Sequence, residues 1–236
     1  MAKTGTAETA LIIGVGDGLS AALARLFARQ GMRLALAARR AEKLAALAAE
    51  TGARAYPCDA AKPGDVGALF AAVASDLAAP DLVVYNPSYR TRGPLVELDP
   101  AEVEKALMIT CYGGFLAGQA AARQMLARGS GSILFTGASA SVKGYANSAP
   151  FAMGKFGLRG LAQSMARELA PKNIHVAHFV IDGGIGRPGS DPRAAERGED
   201  SLLAPEAIAE TYLHIHRQHR SAWTWEVELR PWLERF

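Results

Sequence analysis

Cysteine, aromatic residues and uncompensated charge are all scarce in this chain, and each shortage removes a class of protein. The only two cysteines, Cys58 and Cys111, stand far apart with no C-x-x-C or Cys/His spacing. That argues against a disulfide framework or a zinc site and leaves two reduced thiols in or near the core. The formal net charge is +3 and no basic block concentrates it, so nothing points to nucleic acid or an anionic membrane as partner. No apolar run approaches the length of a membrane span. Residues 1–8 are polar and lack the apolar stretch of a leader peptide, so a cytoplasmic protein is expected. Repeats of solenoid period and low-complexity tracts are missing too.

Half of the 236 residues are hydrophobic, ample for a sizeable core. Apolar runs of strand length alternate with longer Ala/Leu-rich stretches at helical spacing, the pattern of repeated βα units. Strands are expected over 9–13, 33–38, 54–57, 81–85, 132–135, 175–180 and 223–229. Helices are expected over 18–30, 41–50, 66–77, 100–128, 151–169 and 205–216. Gly113 and Gly114 in the fourth of these would permit close packing. Residues 183–200, rich in Gly, Pro and charge, read as a mobile loop over a pocket rather than a linker. One α/β domain over residues 1–236 accommodates every element: a Rossmann-type, doubly wound parallel sheet of about seven strands with helices on both faces.

The turn after the first strand reads Ile13-Gly14-Val15-Gly16-Asp17-Gly18-Leu19-Ser20. Its glycines stand where backbone must turn tightly and approach a pyrophosphate at a helix N-terminus. The strand before it, the helix after it and the second strand one βαβ unit later supply the context a dinucleotide fingerprint needs. That second strand ends in Ala38-Arg39-Arg40, with no carboxylate to take a ribose 2′-hydroxyl. Arginines there accommodate a 2′-phosphate, so NADP(H) is favoured over NAD(H), although Asp17 opposes the added charge.

With these residues in place the chain resembles the classical short-chain dehydrogenase/reductase family, from about Thr9 to Arg187 and more loosely to the end. Gly14, Gly16 and Gly18 look like its T-G-x-x-x-G-x-G turn, with Ile13 for the threonine and Ser20 for the last glycine. The resemblance implies that Asp59 binds the adenine amino group and that Asn86 is the central asparagine of N-N-A-G, whose Ala-Gly is lost. Read alone, Asp59 is equally a cap or turn residue and Asn86 a turn former before Pro87.

Reduction of a carbonyl needs a proton donor at the developing alkoxide. In the resembled family this is the tyrosine of Y-x-x-x-K, made more acidic by the lysine, with a serine on the substrate and an asparagine in the relay. Here the segment is Phe151-Ala152-Met153-Gly154-Lys155, and phenylalanine has no proton to give. Lys155 is retained and by resemblance also holds the nicotinamide ribose. The serine position falls on Ala138, with Ser139 and Ser141 close behind, and Thr110 takes the asparagine position. Asp182-Gly183 replaces Pro-Gly, and Arg187 replaces a threonine. Tyr145 is the first candidate for a substitute acid, beside Ser139 and Lys155 should burial lower its pKa.

Two functions follow as expectations. One is an NADP(H)-dependent oxidoreductase acting on a small carbonyl or alcohol with Ser139, Tyr145, Lys155 and Thr110 in a rewired centre. The other is an NADP(H)-binding protein without turnover, serving as a sensor, a scaffold or the partner of a related subunit. All three tryptophans fall within 223–232, which the resemblance places beside a dimer or tetramer interface and which simple burial also explains. His214, His216 and His219 at a helix end read as solvated or dipole-compensating rather than metal-binding.

Overall fold

The computed structural model describes residues 7–187, 191–198 and 200–234. Seven parallel strands form one sheet in the order β3-β2-β1-β4-β5-β6-β7: β1 Thr9–Ile13, β2 Arg33–Ala38, β3 Arg54–Pro57, β4 Leu82–Tyr85, β5 Gly131–Thr136, β6 Ile174–Ile181 and β7 Glu226–Leu229. Strands β1, β4 and β6 are buried along their whole length. That is why they read as continuous apolar runs: both faces of a parallel sheet are covered. On one face Ile12, Leu34, Leu36 and Val84 pack under helices α1 Leu19–Arg29 and α8 Pro205–His216. On the other, Leu11, Ile13, Val83 and Phe135 pack under α3 Pro63–Asp76, α5 Gly113–Arg128 and α6 Ala149–Leu169. The doubly wound architecture read from the alternating pattern is the one observed. Among the described residues no helix is long and apolar enough to cross a membrane.

The order reverses between β1, which turns outward to β2, and β4, which starts the other half. The carboxyl ends of these strands diverge at that switch point and leave a crevice.

Five expectations change in detail. The single helix over 100–128 is α4 Pro100–Leu107 and α5 joined by a π-turn, Met108–Tyr112. The buried Tyr85 hydroxyl donates to the Ile109 carbonyl at 2.5 Å, and the Thr110 hydroxyl oxygen accepts from the Tyr89 N–H at 3.2 Å, so atoms outside the helix serve the widened turn. The stretch 41–50 begins as a 3₁₀ turn, Ala41–Leu44, before α2 Ala45–Thr51. The expected loop over 183–200 contains a helix, α7 Pro192–Arg197, in its described part. Asp191 caps it by accepting from the Arg193 N–H at 3.0 Å, a cap-then-proline signal the reading by composition passed over. The last strand is shorter than 223–229 because side chains occupy the backbone of Thr224: Gln218 takes its N–H and His175 its carbonyl. At the end of α8, His216 is tied to the Ser132 hydroxyl at 2.9 Å rather than solvated.

The expected close approach at the two glycines is present. A Cβ on Gly113 would lie 2.3 Å from the Tyr85 hydroxyl and 2.6 Å from the Ala60 carbonyl oxygen. Gly113→Ala is therefore expected to cost about 1–3 kcal/mol of unfolding free energy. Gly67→Ala, in mid α3 with no atom within 4 Å of its Cβ, is expected to stabilise by up to about 1 kcal/mol. Urea unfolding of both variants checks the pair, and equal effects would contradict the packing described.

Candidate active site

The glycine turn is held by the Gly14 and Val15 N–H groups on the Ala37 carbonyl and by three further hydrogen bonds. Gly14 adopts φ +82°, and a Cβ there would lie 2.6 Å from the Pro87 nitrogen. Ser20 Oγ donates to the Gly14 carbonyl at 3.2 Å and accepts from Asn86 Nδ2 at 2.7 Å, while the Asn86 N–H reaches the Ile13 carbonyl at 3.0 Å. Asn86 thus clasps the turn from β4, and Ser20, met in the sequence only as a departure from glycine, is the link between them.

Gly16 and Gly18 face open space, since a Cβ on either would meet nothing within 4 Å. The first turn of α1 lies beside them with no acidic residue, so its unbonded N–H groups and the positive helix end are available to an anion. A cleft of about 350 Å³ runs from Gly14 past Arg39, Arg40 and Lys43 to Asp59, Asn86 and Tyr89. A second opening shares Gly14 and Asn86 and continues along Gly16 and Gly18 to Arg187 and Arg193. The residues present fit a dinucleotide: an anion cradle at α1, a cationic wall after β2, and Asp59 on the far side. Asp59 also serves its own turn, its Oδ1 accepting from the Ala61 N–H at 3.1 Å. Lys43, on the same wall as the two arginines, is an addition to the sequence reading.

Phe151 and Lys155 lie one turn apart on α6, 7% and 2% exposed. The Lys155 ammonium donates to the Thr136 carbonyl at the end of β5, at 2.6 Å. Its pKa is pushed down to about 7, first by burial and then by the charge of Arg90. The Arg90 guanidinium lies 4.0 Å from the centroid of the Phe151 ring, and Lys155 Nζ lies 5.9 Å from the same centroid. No motif flagged Arg90, which follows Asn86 in the loop after β4. Thr110, fully buried in the π-turn, holds that loop through Tyr89 and packs against Gly154, whose Cβ would come within 2.9 Å of it.

The two serines after β5 separate cleanly. Ser141 is fully buried; its Oγ accepts from the Ala138 N–H and meets His178 Nε2, both at 3.2 Å. His178 Nδ1 lies 3.1 Å from Glu226 Oε2, and Arg159 closes the chain on both Glu226 oxygens at 2.6 and 2.8 Å. Burial pushes the His178 pKa down to about 4, so its imidazole is neutral; the consistent tautomer carries the proton on Nδ1. This network locks the turn Ser139–Ser141. Ser139 itself is half-buried, and its hydroxyl bonds to no described residue. His178, one of two histidines inside the otherwise apolar β6, was the available sequence signal for the network.

The remaining candidates sit further out. Tyr145 is 48% exposed, and its hydroxyl bonds to no described residue; the Lys155 ammonium goes to Thr136 and not to it. Asp182 is buried between Lys143 and Arg230, each at 3.1 Å. The Arg187 side chain is exposed, and its N–H reaches Asp191 at 3.1 Å. Among the described residues no group of three or more His, Cys, Asp or Glu is placed to hold a metal ion.

A sequence model described as short chain dehydrogenase matches residues 8–188. D-threitol dehydrogenase of Mycolicibacterium smegmatis is 30% identical over 174 residues, covering 72% of this chain and 67% of that protein. Human 3-oxoacyl-(acyl-carrier-protein) reductase is 32% identical over 167 residues, 70% of each chain. Two solved structures extend the likeness through the whole fold. A short-chain dehydrogenase from Rhodopseudomonas palustris superposes with TM-score 0.83 at 38% identity, over 95% of this chain and 99% of that one. A metagenomic short-chain oxidoreductase in complex with NADP gives TM-score 0.83 at 27% identity, over 96% and 98%. With a match from β1 to beyond β6 and a dinucleotide cradle at the switch point, this chain belongs to the short-chain dehydrogenase family.

Proposed function

We propose that this chain is an NADP(H)-dependent oxidoreductase that interconverts a small carbonyl compound and its alcohol, with Phe151 standing where the family has its tyrosine. The observation that carries the reading is Lys155: a buried ammonium bonded to the Thr136 carbonyl at the end of β5, one helical turn from Phe151, with its pKa brought down to about 7. The nicotinamide, when bound, supplies or takes up the hydride. The chain's own work is to hold the reacting oxygen and to move one proton. Ser139, with its hydroxyl unengaged on a rigid turn, holds the oxygen. Lys155 moves the proton, its ammonium leaving the Thr136 carbonyl for the oxygen as charge develops there, and solvent then restores it. This assigns to Lys155 the role for which the sequence put Tyr145 first, because Tyr145 is exposed and unconnected to the ammonium. Thr110 acts as a support for the loop after β4.

NADP(H) is preferred over NAD(H) on the strength of Arg39, Arg40 and Lys43 on one wall with no carboxylate at the end of β2. The NADP complex of the metagenomic relative supports the same reading. Copies of the chain associate, in this reading, through the C-terminal segment, where Trp232 is 79% exposed.

Fluorescence titration with NADPH and NADH is the first test. Replacing Arg39 and Arg40 together by serine is expected to weaken NADPH by roughly 10- to 100-fold and to leave NADH little changed, the scale of one or two lost charge-assisted hydrogen bonds. Gly18→Val is expected to abolish binding of both without shifting the unfolding midpoint. Binding of neither cofactor by the wild type would overturn the proposal, and NADPH binding without turnover of any carbonyl would leave only a cofactor-binding protein.

The proton role has its own test. In the reducing direction kcat/KM is expected to fall as pH rises through about 7, where Lys155 loses its proton. Lys155→Met should cost roughly 10²- to 10⁴-fold, whereas Tyr145→Phe should change neither rate nor profile; loss of activity in Tyr145→Phe would return the donor to the loop. Stability gives an independent check. Between about 7 and the ordinary lysine value of 10.5 the unfolded chain binds the proton and the folded chain does not. Folding stability of the cofactor-free wild type, relative to Lys155→Met, should therefore rise with pH through that window.

A further inference from the structure

Next to the cofactor cleft, Arg90 and Lys155 bring together more positive charge than the family's chemistry requires. Tyr89 and Ile109 are among the residues that line that cleft. The next residue, Arg90, turns its guanidinium onto the Phe151 ring at 4.0 Å, with the Lys155 ammonium 5.9 Å from the same centroid. Among the described residues no carboxylate pairs with Arg90, Arg92 or Lys155, and the N–H groups of Arg90 have no hydrogen-bond partner. The nearby acids are committed elsewhere: Glu102 to Tyr89 and Lys105, Asp182 to Lys143 and Arg230.

Arg90 is also held in place. Asn86 fixes the start of its loop to β1 and Ser20, the Tyr89 N–H is bonded to Thr110, the Tyr89 hydroxyl to Glu102, and the Gly93 N–H to the Asn147 carbonyl at 3.1 Å. Arg90 is exposed, but the loop that carries it is fastened to β1, α1, the π-turn, α4 and Asn147. Its face is occupied by the aromatic ring, which leaves the edge, with its fork of donors, to meet a ligand. A planar guanidinium edge matches a carboxylate, two N–H groups to two oxygens. An aromatic ring under the guanidinium adds attraction without neutralising it.

We infer that Arg90 is the carboxylate anchor of the substrate site, so that the compound reduced or oxidised is an oxo acid or hydroxy acid bound with its carboxylate on Arg90 and its reacting oxygen toward Ser139. The inference rests on the reading of the cleft as a nicotinamide site with its reacting end at Phe151 and Lys155. It also gives the tyrosine-to-phenylalanine exchange a use: a ring without a hydroxyl offers its whole face to the guanidinium and cannot compete with the substrate for the donor edge.

The test compares acetoacetate and pyruvate with their methyl esters, as substrates for NADPH oxidation and as ligands in calorimetry on NADPH-loaded and cofactor-free protein. In the wild type the acids should exceed their esters by at least about tenfold in kcat/KM or in affinity, the scale of one charge-assisted contact. Arg90→Met keeps an apolar cover on Phe151 and should erase that preference while leaving NADPH affinity unchanged. Arg90→Lys, which keeps charge but not the fork, should fall between, and it stands in if the methionine variant misfolds. Equal handling of acids and esters by the wild type, or an unaltered preference in Arg90→Met, would overturn the inference; so would a parallel loss of NADPH affinity, which would make Arg90 a cofactor residue. Should no carbonyl compound be turned over, the enzymatic reading fails by itself. Calorimetric binding of acetoacetate to wild type and Arg90→Met still decides on the anchor.

Discussion

A buried ammonium, that of Lys155, with no carboxylate beside it among the described residues, organises the end of the sheet where the active site is proposed. Placing an ammonium in the interior is unfavourable unless it is paired, hydrogen-bonded or neutralised. Lys155 has one neutral acceptor, the Thr136 carbonyl, and a second cation near enough to oppose its charge. The protein answers by letting the group lose its proton near neutral pH. Everything around it follows from that choice. The carbonyl comes from the last residue of β5, so the position of the ammonium is set by the sheet itself. The apolar Phe151 excludes water on the helix side, and Gly154 lets α6 lie directly on the π-turn that carries Thr110. A carboxylate anywhere in this shell would hold Lys155 charged and inert.

The same logic separates the two ends of the cleft. At the dinucleotide end the positive charge is exposed and distributed over Arg39, Arg40 and Lys43, where solvent screens mutual repulsion and a phosphate can approach freely. Beside Phe151 the ammonium of Lys155 is buried, and the neighbouring Arg90, exposed on the loop after β4, opposes its charge. One end is suited to capture, the other to tuning a proton.

Most of the architecture was legible because parallel strands buried on two faces must be apolar throughout, and a glycine turn between strand and helix has few other uses. The order of β1 and its turn and the arginines after β2 could be placed from spacing, whereas Asp59 and Asn86 were placed by the family resemblance. What escaped was whatever depended on the third dimension. Arg90 sits in a proline-broken loop with no periodicity, and only the coordinates show that the loop is tied to Thr110 and Glu102. Thr110 looked like a lost relay residue, whereas from a π-turn that helical periodicity cannot reveal its oxygen holds the loop after β4 through the Tyr89 N–H. The loop over 183–200 was judged by its glycines and charges, and Asp191-Pro192, two residues that start a helix, were overlooked.

Ser139 and Ser141 illustrate how the fold decides between residues that a sequence leaves equivalent. Both follow β5 within one short turn, and either could have offered a hydroxyl. His178 points from β6 toward Ser141, close enough that a Cβ on Gly137 would fall 2.3 Å from its Nε2. Because burial keeps that imidazole neutral, it carries one proton only. The Glu226 carboxylate can only accept, so the proton sits on Nδ1, Nε2 must accept, and Ser141 must donate its own. A hydroxyl fixed as donor to histidine and acceptor from the Ala138 N–H has no proton left for a substrate oxygen. Of the two, only Ser139 keeps a hydroxyl bonded to no described residue, on a turn that its neighbour's hydrogen bonds hold still.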